Sequence, residues 1–73
     1  MTALPAPVTG LERAIRHITE GAERVVRQTR LVARLRAGGY DTTEAENLLA
    51  QLRCALALMQ DHQQLLRAEH DAR

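Results

Sequence analysis

The sequence predicts an all-α protein, an antiparallel two-helix hairpin that self-associates into a four-helix bundle. Three observations predict it. Ala, Leu, Arg, Glu and Gln dominate the 73 residues, and these are the stronger helix formers. Two long apolar stripes repeat at spacings of three and four on either side of one stretch, RAGGYDTTEAE at 36–46. Those stripes also carry more apolar surface than a single hairpin can bury.

Residues 1–8 hold Pro5 and Pro7 without periodicity and read as a flexible arm. Thr9-Gly-Leu-Glu12 fits a capping box, in which the Thr9 hydroxyl and the Glu12 carboxylate satisfy each other's backbone amides. A first helix is expected over about 10–37. Its heptad seam runs through Leu11, Ile15, Ile18, Ala22, Val25, Thr29 and Val32, with Ala14 and Leu35 beside it. Gly21 lies on the core side, where close helix approach is its natural reason.

Gly38 or Gly39 should take the left-handed conformation that closes this helix. After a turn over about 38–42, two overlapping boxes offer a second start, Asp41 with Glu44 and Thr43 with Glu46; Thr42 is a third candidate cap. The second helix, about 43–70, carries Ala45, Leu48, Leu49, Leu52, Ala55, Leu56, Met59 and Leu66 on one stripe. Each helix should be roughly 42 Å long at 1.5 Å per residue.

One chain of this length supplies only about 3–5 kcal/mol from its own core. Cys54 is the single cysteine, so no internal disulfide forms, and no Cys/His cluster has zinc-finger spacing. Association with a second copy is the remaining route. On a helical wheel Leu35, Gln28 and His17 fall about 80–100° to one side of the first seam, and His62, Leu58 and Leu65 about 80–140° to the matching side of the second. Leu31, Leu35, Leu58, His62 and Leu65 are therefore the expected oligomer interface.

The stretches His17-Ile-Thr-Glu-Gly21, Val26-Arg-Gln28, Leu31-Val-Ala-Arg-Leu35 and Gly39-Tyr-Asp-Thr-Thr-Glu-Ala-Glu-Asn-Leu-Leu49, with His62 downstream, carry a resemblance. The chain resembles a set of short, uncharacterised helical-hairpin proteins common in alpha-proteobacteria. The resemblance covers roughly 13–66 and implies a fold without an activity.

Charge divides the two halves. Residues 9–37 hold seven Arg against three Glu, and residues 41–73 three Arg against six acids, within a net charge of +1. Arg13, Arg16, Arg27, Arg30 and Arg34 share the outer face of the first helix. The plasmid copy-number regulators of the Rop type, dimeric two-helix hairpins that bind RNA, give the shape a precedent, with Arg27, Arg30 and Arg34 as the candidate grip. No aromatic platform for bases accompanies them, since Tyr40 is the only aromatic residue. Glu12, Glu20 and Glu23 each precede an arginine by four residues, which favours a solvated, salt-laced face.

His17 and His62 are the candidate metal ligands, two per hairpin and four per dimer. They suit the polar rim of an interface equally, or a pH-sensitive contact. His17-x-x-Glu20-Gly21 also resembles the His-x-x-Lys-Gly of phosphotransfer domains, with Glu in place of the cation that would hold a phosphoryl group. No triad, phosphate loop or paired-carboxylate motif is present in the sequence. The expectation is a cytoplasmic, non-enzymatic protein without cofactor or membrane span, acting as a homodimer on a protein partner, with nucleic acid as the second choice.

Overall fold

In the computed structural model, which describes residues 10–72, two helices lie antiparallel and pack along their whole length: α1, Gly10–Ala37, and α2, Thr43–Asp71. The described residues hold no strand. The arm and Thr9, with its capping box, lie outside the described residues.

Most covered positions follow a three-four alternation, with Ala22, Leu31 and Ala55 half-covered beside it. On α1 the alternating positions are Leu11, Ala14, Ile18, Gly21, Val25, Gln28, Val32 and Leu35; facing them are Thr42, just before α2, and Ala45, Leu49, Leu52, Leu56, Met59, Gln63 and Leu66 of α2. Part of the α1 seam differs from the expected one, since Ile15 and Thr29 are exposed. Ala14 and Gly21, expected beside the seam and on its core side, are buried, and Gln28 is half-covered, so the seam is rotated slightly toward these positions.

Three local facts explain the rotation. A Cβ on Gly21 would stand 3.3 Å from Leu56 Cδ1 and 3.6 Å from Met59 Sδ, so the bare glycine is what lets the two helices close here. Gln28 reaches across and donates from Nε2 to the Ala45 carbonyl oxygen at 2.9 Å. Thr29 needs no partner on α2, because its hydroxyl donates to the Val25 carbonyl of its own helix at 2.7 Å. Ile15 is consequently 42% exposed.

α1 closes in a Schellman motif. The amide of Tyr40 donates to the Leu35 carbonyl at 2.9 Å and that of Gly39 to the Arg36 carbonyl at 3.1 Å. Gly39 is the residue with positive φ, +77°. Gly38 serves a different purpose. The Tyr40 ring lies so close over it that a Cβ there would be 2.7 Å from Cε2.

The second start uses neither expected box. Thr42 is the N-cap by position and makes no side-chain capping bond. Instead Asp41 Oδ1 accepts from the Thr43 amide at 2.9 Å and the Thr43 hydroxyl at 2.7 Å, an Asx turn that leads into the helix. Glu46 turns its carboxylate to Arg36, tying the two ends of the turn together.

This seam is thin. Among the described residues only Ala14, Val32 and Leu49 are buried apolar residues, and no side chain is fully buried. Small residues in the seam at Ala14, Gly21 and Ala45 bring the helices close but remove little apolar area from water, and that area sets the driving force.

Candidate interaction surface

Each face of the hairpin is an open groove. Thr29, Val32, Ala33 and Arg36 of α1 face Glu46, Leu49, Ala50 and Arg53 of α2 across one groove. Across the other, Arg24, Arg27, Gln28, Leu31 and Arg34 face Leu48 and Leu52. This second face continues toward the open end through a hollow lined by His17, Glu20, Arg24 and Met59.

On the second face α2 carries another column beside its seam: Leu48, Gln51, Ala55, Leu58, His62 and Leu65, again spaced by three and four. Leu48 is 45% exposed, Leu58 65% and Leu65 67%. A helix that shows leucine in two adjacent stripes has a broader apolar face than one neighbour covers. Leu31 stands half-covered on this face, whereas Leu35 sits in the seam at the turn end. Of the five expected interface residues, Leu58, His62 and Leu65 thus lie fully in the open, and Leu48 belongs with them.

α1 has its own outer column on the opposite face: Ile15, Thr19, Ala22, Val26, Thr29 and Ala33. It is weaker in character. Its residues are small or β-branched, and the hydroxyls of Thr19 and Thr29 are already satisfied by the Ile15 and Val25 carbonyls.

His17 and His62 are both exposed. The register that sets Leu31 opposite Leu48 also sets position 17 opposite position 62 on the same face. Among the described residues no group of three or more His, Cys, Asp or Glu side chains is placed to hold a metal ion. Cys54 is exposed on the back of α2.

Arg27, Arg30 and Arg34 are exposed on the outer side of α1, Arg27 and Arg30 beside the apolar hollow of Ile18, Ala22 and Val26. The expected i,i+4 lacing of this face is not seen at Glu20 or Glu23. Arg36 and Glu46 close an ion pair between the helices, and neither Glu20–Arg24 nor Glu23–Arg27 forms. No helix among the described residues is long and apolar enough to cross a membrane.

Asp41 is the group whose acidity the fold visibly alters. The hydrogen bonds from the Thr43 hydroxyl, and then from the Thr43 amide, hold its carboxyl below the ordinary value of 3.8. Its role is structural, at the start of α2.

Compared with protein-family models, curated proteins and solved structures, the chain finds no match.

Proposed function

We propose that the protein is a non-enzymatic interaction module, a cytoplasmic adaptor or regulator that works as a homodimeric four-helix bundle. The observation that carries this reading is the outer column of α2. Leu48, Leu58 and Leu65 stand in the open at heptad spacing on a hairpin whose own seam buries little. Aligned leucines of this kind are what a neighbouring helix covers, and a second hairpin supplies one at no cost in specificity, since closed two-fold dimers are the commonest assemblies.

The test is sedimentation equilibrium across a micromolar concentration series, with and without chelator, on the parent chain and on Leu58→Glu/Leu65→Glu. A chelator-insensitive dimer that the double substitution converts to a helical monomer is the expected result. A parent chain that stays monomeric throughout sinks the reading. A dimer dissolved by chelator moves the function to a metal site at His17 and His62.

A second reading has one observation in its favour. Arg27, Arg30 and Arg34 are exposed without ion-pair partners among the described residues, which leaves three cations on one helix face for a phosphate backbone. Salt-dependent RNA or DNA binding, weakened when the three are neutralised together, is its signature.

A further inference from the structure

The order of residues in the outer column of α2 has a symmetry that fixes how two copies meet. Read from either end, the spacing is the same. Leu48 and Leu65 are the outer members, Gln51 and His62 the next, and Ala55 and Leu58 the central pair. An antiparallel partner centred between Ala55 and Leu58 therefore sets Leu48 against the partner's Leu65, Gln51 against the partner's His62 and Ala55 against the partner's Leu58. Leucine meets leucine, a small residue receives a large one, and an amide meets an imidazole that can bond with it in either protonation state. A parallel pairing would instead stack His62 on the partner's His62 and Gln51 on the partner's Gln51.

The neighbouring helix supplies an independent argument. Gly21 of α1 stands between Leu56 and Met59, so the centre of the column lies level with residues just beyond Gly21. At that level, on the same face, Glu20 and Arg24 line one hollow with Met59. They are four residues apart and do not pair with each other among the described residues. The same two-fold axis brings Glu20 against the partner's Arg24, and Arg24 against the partner's Glu20. The apolar column and the charged pair thus call for one axis.

We infer that the second face of the hairpin, where α2 shows Leu48, Leu58 and Leu65, is a self-complementary dimer surface. It takes a second copy of this chain antiparallel, with the two-fold axis between Ala55 and Leu58. The inference rests on the homodimer reading and sharpens it. Two consequences follow at once. Glu44 and Glu69 meet the partner's Glu69 and Glu44 at the ends of the column, so moderate salt screens a repulsion there and tightens the dimer. His62 is displaced from the partner's His62 by about 16 Å along the axis, so the four imidazoles do not converge on one ion.

Cys54, the only cysteine, is exposed on the back of α2, clear of the seam, and provides the probe. A nitroxide is attached to it in the parent chain, and to Asn47→Cys or Ala68→Cys in a Cys54→Ser background. The spin–spin distance across the dimer is then read at each position. With the proposed axis, the label sites are offset along the helix by about 8 Å at position 54, about 28 Å at 47 and about 35 Å at 68. Position 54 therefore gives the shortest distance and the two others clearly longer ones.

A dimer with three equal distances, or with its longest distance at position 54, overturns the inference and leaves the homodimer standing. A chain that sediments as a monomer overturns both. Charge reversal provides the second readout. Glu20→Arg should weaken the dimer about tenfold, as two exposed pairs are lost by symmetry, and Glu20→Arg/Arg24→Glu should restore it. A double variant as weak as the single one removes the axis from between Glu20 and Arg24.

Discussion

Gln28 of α1 donates from its side-chain amide to the backbone carbonyl of Ala45, in the first turn of α2, at 2.9 Å. The bond crosses the seam between two helices whose other facing positions are almost all apolar. It fixes which residues stand opposite each other, because a shift of α2 by one turn would carry the acceptor about 5 Å away.

The Ala45 carbonyl also belongs to the hydrogen-bond ladder of α2, so removing the amide leaves no orphaned acceptor. Gln28→Ala should cost about 1 kcal/mol in urea unfolding. Gln28→Leu should be at least as stable as Gln28→Ala, while its NMR spectrum shows more than one helix register, since a polar residue in a seam specifies register at some expense of stability. A Gln28→Leu chain that is less stable than Gln28→Ala would contradict this account.

The two glycines of the turn should behave differently. Gly39 carries φ +77°, where a Cβ costs about 1–2 kcal/mol, so Gly39→Ala is destabilising by that amount. Gly38 is excluded from bearing a side chain only by the Tyr40 ring, itself 69% exposed and free to swing away. Gly38→Ala should therefore cost less than Gly39→Ala and change the fluorescence of Tyr40, the only aromatic residue. Equal costs with an unchanged tyrosine signal would count against both assignments.

At Gly21 two effects oppose each other. Alanine gains about 1 kcal/mol of helix propensity, but its Cβ would lie 3.3 Å from Leu56 Cδ1, the far end of a flexible side chain. Gly21→Ala should stay within about 1 kcal/mol of the parent. Gly21→Leu has no such escape, because it must push the helices apart. Thermal melts of the two variants check this, and a Gly21→Leu chain as stable as the parent would mean the helices do not close at this point.

Asp41 makes the start of α2 sensitive to acid. Its carboxyl is lowered in the folded state by the two bonds from Thr43, so its contribution is full above the ordinary value of 3.8. That contribution fades as pH falls through the lower folded value. The melting difference between the parent and Asp41→Ala should be constant near neutrality and shrink below about pH 4. Asp41→Asn, which keeps an acceptor oxygen, should lie between them. A difference that grows in acid has the wrong sign for this mechanism.

The two helices and the break at 38–42 were legible because glycine pairs and heptad spacing are local signals. Gly39 could not be told from Gly38 in the sequence, since both lack a side chain and only the hydrogen bonds to Leu35 and Arg36 separate them. The exposure of Ile15 and Thr29 on α1 was hidden for a related reason. Hydrophobicity favours Ile15 over Ala14, whereas the packing favours whatever lets the backbones approach. Gln28 was hidden because a polar residue in a seam is recognised by its acceptor, and Ala45 is 17 residues away. Leu58 and Leu65 stood out early, as leucines on the wrong side of an otherwise complete stripe.

The turn lies at one end of the seam, and this gives the molecule a direction in time. Arg36 and Glu46 meet across a loop of 10 residues, Gln28 and Ala45 across 17, and Gly21 and Leu56 across twice that span. Each contact formed near the Schellman motif shortens the loop that the next must close, so the hairpin zips from Gly39 outward with little entropic penalty at any step. Folding should be fast, as it is for proteins built on local contacts. Opening runs the other way. Amide protons near Leu11 and Leu66 exchange first, and those around Leu35 and Leu49 last, unless a second copy clamps the open end.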